Sequence, residues 1–320
     1  MFHRKPSRCP RFRRGDYVEI RTQREILATL DAGGALDGLP FMPEMAKYCG
    51  RRYRVFRRAD KAYLDMRYYT VRLTGTVLLE GVRCDGGAHA GCQMRCLMLW
   101  KEAWLKAADG PADAGPPPQD DRSLVQVELP TTKGDQFYCQ PVAVGQFSRR
   151  IAWWDVRQYV RDYADRQRSL GELLRMGWIL SIGKIRRRLG MSLLDRLKVN
   201  QTRTPQVSLN LQPGELVQVK SREEIEATLD PLGRNRGLGF AGDMLRFCGG
   251  TYRVAGRVEK AIIEWSGQMR PIRDTVALEG VTCSGIAQRC CPRDCFHLWR
   301  EVWLKRVEAS VGAGPSVGPS

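Results

Sequence analysis

The chain has 320 residues, of which 43% are hydrophobic and 27% are charged, a composition typical of a folded protein with two or three domains. Its formal net charge at pH 7 is +17, which favours polyanionic partners. The longest apolar run, around residues 176–182, is far shorter than the roughly 18 residues needed to cross a bilayer, so we expect no transmembrane segment.

Residues 1–14 are predicted to be a flexible basic arm, with six Arg or Lys side chains and no acid. The arm has no apolar core, so we expect no secretory signal and a cytoplasmic protein. Residues 147–200 have thirteen basic and five acidic side chains, and the two regions together supply +14 of the net charge. The charge distribution predicts that nucleic acid or an anionic membrane surface binds here, through Arg11, Arg13, Arg14, Lys184, Arg186, Arg187 and Arg188. A solvated basic surface without a specific partner is the alternative.

An internal repeat organises the rest of the chain. Residues 15–106 align without a gap with residues 214–305, and 38 of the 92 aligned positions are identical. Between and beyond the two copies lie segments rich in Pro, Gly or Ser, which are typical of linkers and tails. The predicted organisation is an arm (1–14), a first Cys-containing repeat (15–106), a linker (107–122), a middle region (123–198), a linker (199–213), a second Cys-containing repeat (214–306) and a disordered tail (307–320).

Each repeat is predicted to contain one strand, two short helices and then three strands, and a small β-barrel is the natural way to close them. The capping boxes Thr22 with Glu25 and Ser221 with Glu224 predict short helices over about 23–30 and 222–229. The copies share nothing over 63–75 and 262–274, which predicts hairpin tips or loops on the exposed side of each repeat.

The middle region is predicted to contain two strands, at 124–129 and 136–144, followed by helices from Trp153 onward. Its apolar stripe includes Trp153, Trp154 and Trp178. We expect this region to lie between the repeats, to bury those tryptophans against them, and to form any functional pocket where it meets a repeat.

Cysteines are the strongest chemical signal in the repeat. Each copy retains the same set at matched positions, namely Cys49, Cys84, Cys92 and Cys96, and then Cys248, Cys283, Cys291 and Cys295. Zinc prefers tetrahedral sites with thiolate ligands, so we predict two structural zinc ions per chain. Buried unliganded thiols, disulfides and iron–sulfur clusters are the alternatives. Cys290 adjoins Cys291 and is an alternative ligand, whereas Cys9 and Cys139 have no counterpart and are interpreted as incidental.

A closed four-thiolate site has no open position at which to activate water, which argues against catalysis at the metal. The two repeats share no histidine that could act in catalysis, because His89 aligns with Gln288 and His297 aligns with Met98. We therefore expect no catalytic residues, although an enzyme remains open as an alternative.

Tryptophans form the other shared motif. Trp100 and Trp104, with Trp299 and Trp303, are predicted to share one face of a strand with Glu102, either in the barrel core or as an aromatic groove for a peptide or stacked base. The shared Glu80 and Glu279 are predicted to pair with Arg54 and Arg253 of a neighbouring strand.

The runs at 209–221, 247–254 and 299–305 resemble a family of uncharacterised bacterial proteins, and the resemblance implies no activity or site. The opening strands, 15–20 and 214–219, resemble those of SH3-like barrels. The predicted fold class is thus α+β, with two tandem-duplicated small SH3-like β-barrel repeats with short helices, separated by a partly helical basic middle region.

The predicted function is a non-enzymatic zinc-stapled binding or scaffold protein that contacts a polyanion or another protein. The alternatives are an enzyme or accessory factor of a bacterial biosynthetic pathway, with a pocket between a repeat and the middle region, and a protein associated with a membrane surface.

Overall fold

The computed structural model describes residues 11–64, 69–111, 113, 128–188 and 204–307. The chain divides into two compact units. Unit 1 comprises Met1–Gly190, Lys260–Pro271 and Thr282–Phe296, and unit 2 comprises Met191–Glu259, Ile272–Val281 and His297–Ser320. Unit 1 therefore contains the first repeat, the middle region and two excursions of the second repeat, one of which is its cysteine loop. The predicted tail beyond residue 307 and most of the first linker lie outside the described residues.

The two repeats have matching elements. The first contains β1 (Tyr17–Ile20), α1 (Gln23–Leu27), β2 (Ala35–Leu36), β3 (Leu39–Pro40), a 3₁₀-helix (Pro43–Tyr48), β4 (Arg52–Arg58), β5 (Lys61–Leu64), β6 (Tyr69–Arg72), β7 (Thr76–Arg83), β8 (Leu97–Lys101), a 3₁₀-helix (Glu102–Trp104) and β9 (Leu105–Ala107). The middle region contains β10 (Thr132–Lys133), β11 (Gln136–Phe137), α2 (Gln140–Phe147), β12 (Arg149–Ile151), α3 (Arg157–Ala164) and α4 (Leu170–Arg188). The second repeat contains β13 (Leu216–Val219), α5 (Arg222–Glu226), β14 (Arg234–Asn235), β15 (Leu238–Gly239), a 3₁₀-helix (Gly242–Phe247), β16 (Thr251–Arg257), β17 (Lys260–Ile262), β18 (Met269–Pro271), β19 (Thr275–Thr282), β20 (Phe296–Arg300), a 3₁₀-helix (Glu301–Trp303) and β21 (Leu304–Arg306).

Each repeat forms a curled five-stranded antiparallel sheet. The strand order is β8-β7-β4-β1-β9 in the first repeat and β20-β19-β16-β13-β21 in the second. The α+β class and the tandem barrel-like repeats are therefore confirmed at this level. The capping boxes at Thr22 and Ser221 are also confirmed, because each hydroxyl accepts the N–H of the glutamate three residues later.

The shared tryptophans lie in the core, as the first of the two predicted alternatives has it, so they do not form an aromatic groove. Trp100, Trp104, Trp299 and Trp303 are all fully buried. The predicted continuous strand is interrupted by a 3₁₀-helix, which turns both rings of each pair inward, where they meet edge to face at 6.4 Å. The Trp104 indole N–H donates to Thr29 Oγ1 (3.0 Å), which satisfies that polar atom within the core.

One predicted strand of the middle region is a helix. The strand expected at 136–144 ends at Phe137, and α2 begins at Gln140, where Pro141 suits the first turn of a helix. The buried Gln140 amide accepts the Leu99 N–H and donates to the Leu99 carbonyl, both at 2.8 Å. The side chain of Gln140, a residue of α2, thus satisfies the backbone N–H and carbonyl of Leu99 in β8. Residues 124–127 of the other predicted strand lie outside the described residues.

The tryptophans of the middle region are exposed, contrary to our expectation that the repeats bury them. Trp153 is 52% exposed, Trp154 is 68% exposed and Trp178 is 69% exposed. Helix α4 instead directs Met176 toward Ile286, and the opposite side of the helix faces solvent. No helix in the described ranges is long and apolar enough to cross a membrane.

The variable segment of the first repeat is a hairpin, as predicted, but it is not exposed. Strands β5 and β6 pair with each other and with β12 of the middle region. Ala62, Leu64, Val71 and Leu73 are buried. The first hairpin is therefore a packing element of unit 1, and its sequence differs from that of the second hairpin.

The described end of the basic arm is anchored. Phe12 is buried in the core of unit 1, and its N–H donates to Glu102 Oε1 (2.8 Å). Arg11 pairs with Asp165, whereas Arg13 and Arg14 are exposed. Residues 11–14 are thus part of the fold, and residues 1–10 lie outside the described residues.

Candidate metal centre

Each cysteine loop closes on itself in the same way. The Cys84 N–H donates to the Cys96 carbonyl (2.9 Å), so these two cysteines face each other where β7 ends and β8 begins. At Gly86, φ is +74° and a Cβ would lie 2.0 Å from the Cys92 carbonyl oxygen, so only glycine permits this closure. The second loop repeats the arrangement, with a Cβ at Gly285 (φ +71°) 2.0 Å from the Cys291 carbonyl oxygen.

A cavity in unit 1 gathers four cysteines. Its lining includes Cys84, Cys92, Cys96 and Cys139, and it encloses about 380 Å³ of empty space that is partly open to solvent. Cys49 is not among the described lining residues, and its thiol lies 4.0 Å from the Met45 carbonyl oxygen. The structure thus groups three of the four predicted ligands with Cys139.

Sequence reasoning missed Cys139 because it belongs to the middle region and has no counterpart in the second repeat. It is the N-cap residue of α2, and the buried Gln140 that follows it fixes the start of that helix against β8. Its signal in the sequence is weak: Pro141 suits the first turn of a helix and would place Cys139 at the start of that helix.

Backbone amides donate to the central cysteine of each loop. The Ile262 N–H donates to Cys92 Sγ (3.4 Å), and the Tyr63 N–H donates to Cys291 Sγ (3.4 Å). Positions 63 and 262 are equivalent in the repeat, as are positions 92 and 291. Within unit 1, each cysteine loop therefore meets the hairpin of the other copy in the same way. An N–H donor favours negative charge on sulfur, which suits a metal-bound thiolate.

A carboxylate and an imidazole adjoin the thiols of the first loop. Glu44, Cys84 and His89 place one potential ligand atom each within 4.8 Å of the others. His89 Nδ1 lies 2.6 Å from Glu44 Oε1, and His89 Nε2 lies 3.3 Å from the Tyr138 carbonyl oxygen. Burial opposes charge on the ring, but the Glu44 hydrogen bond and charge outweigh it and raise the His89 pKa.

Both ring nitrogens of His89 face acceptors, which fits a doubly protonated imidazolium paired with Glu44. Two ligands of one tetrahedral zinc ion lie roughly 3.3 Å apart. The shorter separation of His89 and Glu44 is that of a hydrogen bond, so in this structure the two residues form an ion pair beside the thiols.

The second repeat has an equivalent carboxylate with an imidazole from elsewhere in the chain. Asp243 occupies the position of Glu44, and His297 Nε2 lies 3.2 Å from Asp243 Oδ2. These two residues form the matching contact between a carboxylate and an imidazole within unit 2. Neither histidine has an aligned histidine in the other repeat. The structure nevertheless places His89 beside Glu44 and His297 beside Asp243, and these two carboxylates occupy equivalent positions.

Burial keeps the thiols protonated in the protein alone. It raises the pKa of Cys49 and of Cys139 to about 12, and it also raises the pKa of Cys84 and of Cys96. Thiols of this kind are poor nucleophiles, which argues against a catalytic cysteine. A bound cation would be needed to hold them as thiolates.

The structure separates the two adjacent cysteines of the second loop. Cys290 Sγ lies 3.7 Å from Met176 Sδ in an apolar cluster, whereas Cys291 occupies the position of Cys92. Cys248 ends a 3₁₀-helix of unit 2, as Cys49 does in unit 1. Among the described residues of unit 1, the candidate ligand group contains a single cysteine, so the predicted thiol quartets stay a prediction.

The predicted polyanion residues divide between the arm and α4. The backbone of α4 extends to Arg188, but the side chains of Lys184 and Arg186, Arg187 and Arg188 lie outside the described residues. The predicted ion pair between Arg54 and Glu80 is present at 3.7 Å, with both side chains about half exposed.

Comparisons with protein-family models, with curated proteins and with solved structures found no match. The resemblance to a bacterial family therefore stays a prediction, and the function has to be argued from the residues themselves.

Proposed function

We propose that the protein is a non-enzymatic, zinc-stabilised binding protein that docks onto an anionic membrane surface through α3 and α4. The observation that carries the proposal is an apolar stripe of α4 in solvent, with exposed fractions of 59% for Leu170, 66% for Leu174, 69% for Trp178 and 56% for Ile185. Successive spacings of four, four and seven residues place these side chains on one face of a helix.

Helix α4 is apolar on its other side as well. Leu173, Met176 and Leu180 pack with Ile286 and Cys290. A surface helix that needs only its inner face for packing would have a polar outer face. Of the sixteen large hydrophobic residues that are exposed in the described part of the chain, ten lie between positions 153 and 185, so the exposed apolar surface described there is concentrated in this segment. Concentrated apolar surface of this kind marks an interaction site.

The exposed apolar side chains favour a lipid partner over nucleic acid, since arginine attracts either polyanion. Exposed arginines occur in the same segment of the chain, at positions 157, 161, 166 and 175. Leucine and isoleucine side chains insert between acyl chains but offer nothing to a base or a phosphate, whereas arginines beside them attract anionic headgroups. Trp153, Trp154 and Trp178 suit the interface between headgroups and acyl chains.

The cysteine loops would supply the ligands of the proposed structural zinc ions. Thiolates suit zinc, so Cys84, Cys92, Cys96 and Cys139, which line the first cavity, would hold it. At the second loop Cys283, Cys291 and Cys295 would contribute ligands in the same way. Zinc in such sites contributes folding energy and has no open position, which supports a structural role. Each repeat is proposed to be an SH3-like barrel, on the strength of its curled five-stranded sheet.

Vesicle flotation of the full chain tests the docking surface. We expect binding to phosphatidylcholine vesicles that contain phosphatidylserine, weaker binding to phosphatidylcholine alone, and weakening by salt. The double variant Leu174→Ser with Trp178→Ser should bind at least about tenfold more weakly, because two apolar side chains lose their burial in the bilayer. The matched variant Leu232→Ser, at a position of unit 2 that is 62% exposed, should float as the wild type does.

If Leu174→Ser with Trp178→Ser floats as strongly as the wild type, α4 is not part of the docking surface. Absence of flotation together with a stable complex with a purified protein would replace the lipid by a protein partner.

A further inference from the structure

A strongly charged cavity lies where the first repeat meets the middle region, the place where sequence reasoning expected any functional pocket. It encloses about 490 Å³ of empty space that is partly open to solvent, and all of its lining residues belong to unit 1. Its lining contains six cationic and three acidic side chains, a formal excess of three positive charges.

Most of these cations have acidic partners. Arg58 pairs with Asp60 (3.0 Å) and with Glu102 (2.5 Å), and Lys61 pairs with Asp162 (2.5 Å). Arg168 pairs with Glu172 (2.9 Å) and donates to backbone carbonyls. Asp165 pairs with Arg11, and Arg72 lies 3.6 Å from Asp155. Acids outside the lining, namely Glu102, Glu172 and Asp155, thus neutralise most of the formal excess.

Arg57 differs from these paired cations. Its Nε and Nη1 atoms are buried and have no hydrogen-bond partner. Burial lowers the Arg57 pKa, and the nearby positive charge of Arg168 lowers it further. Leaving a buried charged donor unpaired is among the most destabilising arrangements in a protein, typically by several kcal/mol. An arginine held in this way is typical of a site that an anion completes.

The fold does not require Arg57. A β-bulge interrupts the pairing of β4 with β7 between Val55 and Arg57, and the same irregularity occurs between Val254 and Gly256 in the second repeat. Glycine thus occupies the equivalent position in a sheet with the same bulge. Arg58, by contrast, has a counterpart in Arg257, which pairs with Glu301 as Arg58 pairs with Glu102.

The cavity also offers an acceptor. Gln158 lines it and is buried, and its Nε2 donates to the Ala152 carbonyl (3.1 Å), which fixes the orientation of the amide. Its Oε1 is buried without a partner. A ligand that satisfies both residues carries an oxyanion for Arg57 and a hydroxyl or amine donor for Gln158.

We infer that this cavity binds a small phosphorylated molecule, with Arg57 donating to phosphate oxygens and Gln158 accepting from a neighbouring hydroxyl. A phosphate group offers several oxygens to the Nε and Nη1 donors of Arg57 and carries about two negative charges near neutral pH. The lining contains none of the cysteines of the first thiol cavity and none of the exposed apolar residues of α4.

Calorimetric titration of the full chain with inorganic phosphate tests the inference. The wild type should bind phosphate, and Arg57→Met should weaken binding at least tenfold. Arg54→Met is the matched control, because it removes the same charge from an exposed position of the same strand. Absence of measurable phosphate binding by the wild type, or equal binding by both variants, overturns the inference.

Thermal stability supplies a second readout. In phosphate-free buffer, Arg57→Met should be at least as stable as the wild type, because the substitution removes an unpaired buried charge. Phosphate should then raise the Tm of the wild type and not that of the variant. A variant that is destabilised equally with and without phosphate would show that Arg57 is a structural residue and would overturn the inference.

Flotation of Arg57→Met identifies the source of the phosphate. Loss of vesicle binding assigns the site to a lipid headgroup, and unchanged flotation assigns it to a soluble phosphate monoester. The variant Leu174→Ser with Trp178→Ser should keep its phosphate binding, which separates this site from the docking surface.

Discussion

Replacing Glu301 by glutamine should strongly destabilise the second repeat. The carboxylate is fully buried and accepts backbone N–H groups from Leu209 (2.5 Å), Asn210 (2.9 Å) and Leu211 (3.1 Å). It also pairs with Arg257 at 3.3 Å. Glutamine keeps one acceptor oxygen but turns an N–H₂ group toward the remaining donors.

Hydrogen bonds to a charged acceptor contribute about 1.5–3 kcal/mol each, and breaking a buried ion pair costs about 3–5 kcal/mol. We therefore expect a loss of about 4 kcal/mol, seen in calorimetry as a fall in Tm of about 10 °C. Hydrogen exchange at residues 209–211 should speed up in the variant. Glu279→Gln, at an exposed position of the same repeat, should change stability by less than about 0.5 kcal/mol. A loss below about 1 kcal/mol for Glu301→Gln, with unchanged exchange at residues 209–211, would refute this reasoning.

Two further substitutions test the loop and the cap. Gly86→Ala should destabilise the first cysteine loop by about 3 kcal/mol or more, because its Cβ would overlap the Cys92 carbonyl. The control Gly81→Ala, which has a similar φ and open space around it, should cost only about 1 kcal/mol. Equal falls in Tm for the two variants would contradict this. Thr22→Ala should cost about 1 kcal/mol. The Thr22 hydroxyl and N–H lower the Glu25 pKa from its ordinary value of 4.5, so this carboxylate stabilises the fold above that value and its contribution disappears as the pH falls through the lower folded pKa. Thermal unfolding at pH 7 and pH 3 should show a smaller acid loss in Thr22→Ala, and an identical loss would count against the cap.

Local signals in the sequence predicted local structure well. The capping boxes predicted the start of both short helices. The repeat predicted two similar sheets. These features depend on neighbours within a few residues or on the comparison of two copies, and both are visible in one chain.

Features set by distant contacts were missed. Gln140 reads as part of an alternating strand, yet its amide serves the edge of β8 across 41 positions of sequence. Cys139 enters the thiol cavity only because α2 docks there. Arg57 and Gly256 differ without any local consequence, so the charged cavity could not be foreseen.

The apolar pattern of the middle region correctly predicted a helix face that avoids water, but the prediction that the repeats cover this face was wrong. A stripe that contains Trp178 predicts a face that avoids water, and it does not say whether the cover is the same chain or a partner. Helix α4 has two such faces, and the fold covers only the one around Met176.

Zinc content of purified full-length protein, measured by elemental analysis with thiol titration, tests the metal centre most directly. The account predicts roughly two zinc ions per chain for the wild type. It predicts that Cys139→Ser loses one of them and that Cys49→Ser loses none, because Cys139 lines the thiol cavity and Cys49 does not. A wild type without zinc, or loss of zinc from Cys49→Ser with full zinc in Cys139→Ser, would contradict it.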